Sequence, residues 1–460
     1  MATTTIAAPA TAALAPRTRR ILAAPIAPTL LQLAAPNVAV LVLQTGVSVL
    51  EAYFVAWLGA DALAGVALVF PLVMLMQTMS AGGMGGGVAS AVARALGAGR
   101  RDDANRLVLH AFLIAIAMGT LFTAAALGGG PALYRVMGGT GGALEAARQY
   151  SGAIFAGAVF FWTFNTLSAV VRGTGNMTVP ALTVVVSSVV LAILSPSLIL
   201  GWGPFPRLGV AGAGLASAFV YGLGTLALSA FLWSGRSLVR PSLIGFRAER
   251  RLFAEILRVG APAALNTVQT NLTVALLTGL VGGFGTYAVA GYGLGARLEY
   301  LQIPIVFGLG SALVTMVGTN VGAGQHARAR RVAWVGAGLA ALITETIGLL
   351  AAMFPHAWLG LFTTEPHVLA AGAQYLRTVG PAYGFFGLGL ALYFASQGAG
   401  RLLWPLLAGF VRLSFAAAGG SVAIAWGGGL GTLFAVMAVA MILFGVSLAT
   451  AVRLGAWGHR

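Results

Sequence analysis

"GAGRRDDANRL" (97–107) and "GAGQHARARRV" (322–332) are two versions of one polar turn, 225 residues apart, each set between long apolar runs. Two further pairs keep that offset: "ARQY" (147–150) with "GAQY" (372–375), and "RGTGNMTVP" (172–180) with "QGAGRLLWP" (397–405). "LGADALAG" (58–65) answers "FGTYAVAG" (284–291) at 226. Chance could supply two such matches in a chain with 65 Gly; three at one spacing and a fourth one residue off it point to an internal duplication.

The duplicated unit is apolar. Of 460 residues, 59% are hydrophobic and 8% charged, against about 25% charged in soluble domains. The apolar runs do not alternate with polar residues as barrel strands do, so they read as membrane helices. Twelve spans are expected, near 29–57, 62–95, 105–127, 147–171, 179–201, 209–234, 256–281, 287–320, 331–353, 368–396, 403–425 and 428–452. Each is long enough for ~30 Å of hydrocarbon. Six spans per repeat is an even number, so both halves enter from the same side. The fold class is therefore an all-α membrane protein: two six-helix lobes related by a pseudo-two-fold axis along the membrane normal. The expected division is a flexible tail over 1–28, an N-lobe over 29–234, a linker over 235–255, a C-lobe over 256–452 and a tail over 453–460. The opening "MATTTIAAPATAALAPRTRR" lacks a compact apolar core after a basic start and reads as tail rather than leader.

The formal charge of +16 does not indicate nucleic acid. All the basic residues are Arg, and most fall in the short polar gaps. With the N-terminus inside, the inner gaps hold Arg17, Arg19, Arg20, Arg94, Arg100, Arg101, Arg106, Arg172, the linker arginines and Arg328, Arg330 and Arg331. The outer gaps hold Arg135, Arg148, Arg207 and Arg377. That bias puts both termini in the cytoplasm of a bacterial inner membrane. The chain has no Cys, and its five His are scattered without metal spacing. "SAGGMGGG" (80–87) lacks the Lys-Ser/Thr of a phosphate loop and reads as close helix packing or a hinge.

The order and spacing of several pieces carry a family resemblance. They are Pro36, "EAYFVAWLG" (51–59), "GAGRRDDANR", "RGTGNMTVP", "GPFPRLGVAGAGLAS" (203–217), "GARLEYLQIP" (295–304) and "VGTNVGAG" (317–324). Together, over about residues 30–450, the chain resembles the multidrug and toxic compound extrusion (MATE) antiporters. The resemblance implies a cavity between lobes that opens alternately to each side. It also implies export of amphipathic, often cationic organic compounds in exchange for H⁺ or Na⁺. The family's helix-one Asp, eight residues before the Gly of the outer turn, is matched here by Glu51 before Gly59. The family's fifth-helix Asn and Asp are matched by Leu191 and Ser195, and one branch's seventh-helix Glu by Thr270. A single carboxyl can carry H⁺, whereas Na⁺ wants several oxygens, so H⁺ is the expected coupling ion, with Na⁺ the alternative and no other cofactor.

Three acids fall in spans: Glu51, Glu299 and Glu345. An ionised carboxylate at mid-bilayer costs at least about 2.5–3.5 kcal/mol, so each needs a partner or a use. Glu51, with Gln44 and Asn165, is the candidate cation-coupling set, with Thr45 and Ser48 on neighbouring turns. The alternative is an interhelical hydrogen bond that locks the lobe. Arg297 and Arg412 are the cations expected in spans, and a C-lobe network of Arg297, Glu299, Glu345 and Arg412 is expected, structural or gating. Gln269 and Asn271 are candidate cavity residues. Asp102 and Asp103 are expected to cap the third helix. Phe160, Phe161, Trp162 and Phe164 line a cavity or face lipid. Two other functions stay open: flipping of a lipid-linked precursor, which needs a cationic cavity, and a membrane-embedded enzyme, for which no catalytic cluster is visible. The partners expected are a small organic substrate and the bilayer, with no nucleic acid, and the transporter is expected to be a monomer.

Overall fold

The computed structural model describes residues 14–457. Expectations for 1–13 and 458–460 lie outside the described residues. Twelve long helical units follow one another: α1 Ile26–Ala56, α2 Ala60–Gly97, α3 Arg101–Val136, α4 Gly141–Ala156 with Ala158–Gly173, α5 Thr178–Leu200 and α6 Val210–Trp233 form the first lobe. Next come α7 Arg250–Gly282, α8 Thr286–Gly322, α9 His326–Met353, α10 Pro366–Ala399, α11 Leu403–Ala425 and α12 Leu430–Arg453. Among the described residues no strand occurs.

Ten of these helices are long and apolar enough to cross a membrane, or eleven if the two halves of α4, bent by 47°, count as one span. The twelfth is α7. It has 33 residues, but Asn266, Gln269 and Asn271 interrupt its apolar run. Exposed side chains such as Ile193, Leu226 and Leu342 leave apolar faces where hydrocarbon would be. Inside, small residues let the helices approach: Gly85–Ala93 of α2 is continuously buried. A Cβ on Gly87 would sit 2.7 Å from the backbone N of Gly260, so α2 and α7 cross nearly backbone to backbone. The "SAGGMGGG" stretch is both close packing and an irregularity, because Thr78–Met84 is a π-helical turn.

Four expectations need correction. The third span does not stop before "GGGP" but continues to Val136, because in a bilayer backbone groups gain nothing by leaving the helix for solvent. Within the expected tail, Pro16–Ala23 is a helix that buries Thr18, Ile21 and Leu22, and Arg328 donates to the Ala24 and Ile21 carbonyls at its end. The linker is shorter than 235–255, since α7 begins at Arg250. It is pinned to α3 where Arg101 donates to Leu238 O at 3.1 Å, Arg240 N to Asn105 Oδ1 at 2.7 Å and Glu249 N to His110 Nε2 at 2.9 Å. Finally, neither Asp102 nor Asp103 caps α3. The cap position is Arg100, and Asp103 instead binds Arg251 of α7 at 2.7 Å.

Candidate functional site

Glu51 lies on α1 one turn before its end, half-buried and turned into its own lobe. Ser195 of α5, buried just before Pro196, donates from Oγ to Glu51 Oε1 at 3.3 Å. Tyr150 of α4 and Tyr221 of α6 lie within electrostatic reach of the carboxylate. Behind them Phe161 and Phe164 pack on Tyr221, with ring centroids 4.2 and 5.3 Å away. No cation among the described residues faces Glu51.

The C-lobe holds a second acid in a different setting. Tyr375 of α10 donates its hydroxyl to Glu299 Oε1 on α8. Arg412 of α11 acts on the same carboxylate through space, without a direct ion pair. Its guanidinium lies over the rings of Phe386 and Phe444, at 5.3 and 5.6 Å. The buried Tyr383 hydroxyl is close to Glu299, but its geometry does not make a hydrogen bond.

Between the lobes runs a seam on the side that carries the described chain ends. Every side-chain hydrogen bond that crosses between the lobes, among the described residues, lies in that half. The contacts obey the repeat. Ser90 of α2 donates to Gln397 O of α10 at 2.5 Å, and its counterpart Thr315 of α8 donates to Arg172 O of α4 at 3.0 Å. A Cβ on Gly97 would strike the carbonyl of Thr319, and one on Gly322 the carbonyl of Arg94, again a matched pair. Asn37 joins Ser311 at 2.8 Å. At the rim, Arg106 binds Glu249 at 2.7 Å and Arg100 and Arg251 share Asp103. These rim pairs are solvent-exposed and worth about 0–1 kcal/mol each, so the packed glycines hold the seam more than they do.

Immediately inside the seam is a narrow cavity lined by Gly82, Gly86, Arg172, Phe307, Ser311 and Gln397, among others. The π turn leaves carbonyls without their usual helical partner, and Gln397 Nε2 donates to those of Gly82 and Gly83 at 3.0 and 3.3 Å.

Comparison with known proteins matches this architecture to a family in two segments. The profile of the family described as MatE matches residues 36–196 and again 262–422, one segment per lobe, starting at Pro36 and at Pro262. The chain belongs to the MatE family. The MatE chain is 29% identical over 385 residues to a protein of Shewanella oneidensis named FAD transporter, with 82% of each covered. It is 28% identical to the probable multidrug resistance protein YoeA of Bacillus subtilis, with 76% of each covered. Among solved structures, a MATE described as in the bent conformation superposes with TM-score 0.89 at 23% identity, covering 96% of this chain and 98% of that one. A MOP superfamily transporter from Pyrococcus furiosus gives 0.88 at 23%, covering 97% and 100%. The two-lobe fold of this MatE protein is thus that of known membrane transporters.

The site residues foreseen from sequence do not all meet. In the N-lobe, Gln44 is half-exposed two turns below Glu51, and Asn165 does not reach it. The Asn165 amide faces α2 and donates to Ser80 Oγ in the π turn at 3.1 Å. In the C-lobe, Glu299 and Arg412 do share one network, but Arg297 and Glu345 stand outside it. Arg297, two residues from Glu299 and so on another helix face, is exposed and lies 5.6 Å over the Phe362 ring. Glu345 accepts from Gly384 N at 2.6 Å, where a 3₁₀ turn, Gly380–Ala382, breaks α10. Gln269 and Asn271 are split as well: Gln269 is buried against Gly409 with both amide atoms unpartnered, while Asn271 is exposed and bonds back to Thr267 O at 2.8 Å. Of the four aromatics, Phe161, Trp162 and Phe164 are lobe core, and Phe160 is half exposed.

Tyr150, Tyr375, Ser195 and Arg172 were not foreseen as site residues. Each had a signal. The first two are the last residues of the repeated "ARQY" and "GAQY", Ser195 fills the position of the family's acid, and Arg172 opens the repeated "RGTGNMTVP".

Proposed function

We propose that this MatE protein is a secondary active antiporter of a bacterial inner membrane. It exports amphipathic organic compounds, cationic ones among them, in exchange for H⁺ by alternating access. The relatives named as multidrug resistance proteins support the cargo class. The arginine bias supports cytoplasmic termini, and under that orientation the closed seam is cytoplasmic and the lobes stand in an outward-open arrangement. Each chain carries both lobes and its own pseudo-axis, so one copy suffices and a monomer is the working unit.

The observation that carries the reading is Glu51. It is a membrane carboxyl with one hydroxyl donor and no facing cation. A proton from outside neutralises it, and release inside restores the charge; the ion drives transport because the two states of the N-lobe hold that proton differently. Na⁺ would need the oxygens of Glu51, Ser195 and the two tyrosines to converge on one point. Among the described residues only Ser195 reaches the Glu51 carboxylate within hydrogen-bond distance, which supports H⁺. The flippase alternative loses its two expected cations. Arg297 is at the surface and Arg412 is inside the C-lobe among aromatic rings, so neither lines the axial cavity, which holds one arginine, Arg172, rather than a cationic cluster.

Purified protein in liposomes, given a panel of fluorescent dyes of both charges, tests this. A pH gradient is expected to drive dye movement, and Glu51→Gln is expected to insert normally and lose it by roughly 100-fold or more, within the range set by loss of an essential proton carrier. Wild-type rates in Glu51→Gln, or rates that follow a Na⁺ gradient alone, would overturn proton coupling through Glu51.

A further inference from the structure

We infer that Arg172 is a recognition site for an anionic group, a carboxylate or a phosphate ester, on the transported compound. The inference deepens the export reading and rests on it: within the amphipathic cargo class it assigns a preference for molecules that carry a negative charge.

Arg172 is in the last turn of Ala158–Gly173, and its side chain lines the cavity between the lobes. Among the described residues no carboxylate pairs with it, and its guanidinium makes no hydrogen bond. Only burial acts on its charge. The other arginines of the seam are committed. Arg94 donates to Ser90 and to the Gly398 and Glu255 carbonyls, and Arg100, Arg106 and Arg251 hold acids. Position at a helix C-terminus is worth about 0.3–1 kcal/mol to a cation. Removing a charge from water costs several kcal/mol, so the helix end alone does not account for a lone guanidinium there.

The surroundings specify the rest of the ligand. The repeat places Gln397 opposite Arg172 across the axis, and the Gln397 Oε1 is buried without a donor. It can accept from an N–H or O–H on the same molecule. Phe307 and Phe394, 5.5 Å apart edge to face, offer an apolar wall. Gly82 and Gly86 of the facing lobe pack directly on Phe307 and Gln397, and the cavity, about 20 Å³, holds no ring system while the seam is closed; parting of the lobes is what admits one. An aromatic body with a hydrogen-bond donor and one anionic substituent satisfies all three. The cavity sits between the glycine crossings and the rest of the cleft, so separation of the seam uncovers Arg172 to the side from which an exporter loads.

The test uses two xanthene dyes of the same planar shape and opposite charge, fluorescein and rhodamine 6G. Binding to purified full-length protein is read by fluorescence anisotropy. The wild type is expected to bind fluorescein more tightly and to be stabilised by it against heat. Arg172→Gln is expected to weaken fluorescein by roughly tenfold or more, the scale of one charge-assisted hydrogen bond, and to leave rhodamine within about twofold. Arg172→Lys keeps the charge and loses the fork, so an intermediate affinity is expected; it carries the test if the Gln variant does not fold. Unchanged fluorescein affinity in either variant, or a wild type that prefers rhodamine, would overturn the assignment. If rhodamine is exported under a pH gradient while fluorescein neither binds nor moves, the antiporter reading stands and this one falls. If no dye moves under any gradient but fluorescein binding needs Arg172, the reverse holds.

Discussion

The two lobes are built on one repeat, yet they hold their acids differently. Glu51 comes from the first helix of its lobe and Glu299 from the second helix of the other, so the acids are not counterparts. The tyrosines beside them are: Tyr150 and Tyr375 end the same repeated motif. In the N-lobe the carboxyl meets a serine at 3.3 Å and no cation, and in the C-lobe it meets a tyrosine hydroxyl and the field of Arg412. The scaffold's symmetry has thus been kept where helices must pack and given up where charge is placed. A carboxylate with a fixed counter-charge suits a permanent structural anion, and one without suits a group that is charged only part of the time.

That contrast can be broken most forcefully at Glu299. Glu299→Gln leaves Arg412 without its counter-charge. Removing one partner of a direct buried pair costs about 3–5 kcal/mol; Arg412 makes no direct pair with Glu299 and keeps its cation–π contacts, so the loss should fall below that range. Thermal unfolding in detergent should therefore fall clearly for Glu299→Gln and stay near wild type for Glu51→Gln, and Glu299→Gln with Arg412→Met should recover much of the loss. Equal losses from the two acid variants would mean that both are structural, and the division of labour between the lobes would be wrong.

What the sequence makes legible follows from the same contrast. Spans, lobes and axis are written in hydropathy and in the repeat, because a bilayer forces every segment to be a helix and duplication fixes its order. The placement of Glu51 was legible from its distance to Gly59. Its partner is legible only as a family position: Ser195 stands where the resemblance puts an acid, but its bond to Glu51, 144 residues away, depends on the crossing of α1 with α5. The C-lobe network was half legible. Charge balance within the spans points to all four residues alike; helix phase takes Arg297 away from Glu299, and the break in α10 gives Glu345 a partner of its own. The end of the apolar run places Arg172 among the inner-gap arginines; its position along the chain agrees, but its side chain turns back into the seam.

The seam supplies the next test, since there the lobes behave alike. Gly97→Val and Gly322→Val each drive a side chain into a carbonyl of the other lobe. Overpacking of this kind costs about 1–3 kcal/mol, charged here to the closed seam alone. Both variants should raise the labelling of a single cysteine introduced at Ser90 to the same degree, measured from the side of the termini. A large effect from one glycine and none from the other would show that the axis does not organise the seam.

The donors themselves sharpen the distinction most, and the smallest stability effect is expected at Ser195. Tyr375→Phe removes a hydroxyl from a carboxylate that keeps Arg412, and a hydrogen bond to a charged group is worth about 1.5–3 kcal/mol. Its cost should appear as lost stability with transport per folded molecule preserved. Ser195→Ala removes a longer bond, 3.3 Å, to a group that spends part of its cycle neutral, so its stability cost should stay below about 1 kcal/mol. If Glu51 carries the proton as proposed, transport should show the change instead, as a several-fold lower rate under a fixed pH gradient, because the serine is the one hydrogen-bond donor to Glu51 among the described residues. If Ser195→Ala destabilises the protein as much as Tyr375→Phe and leaves the transport rate of the folded fraction untouched, Glu51 is a lobe-locking hydrogen-bond acceptor, and the asymmetry between the lobes carries no coupling.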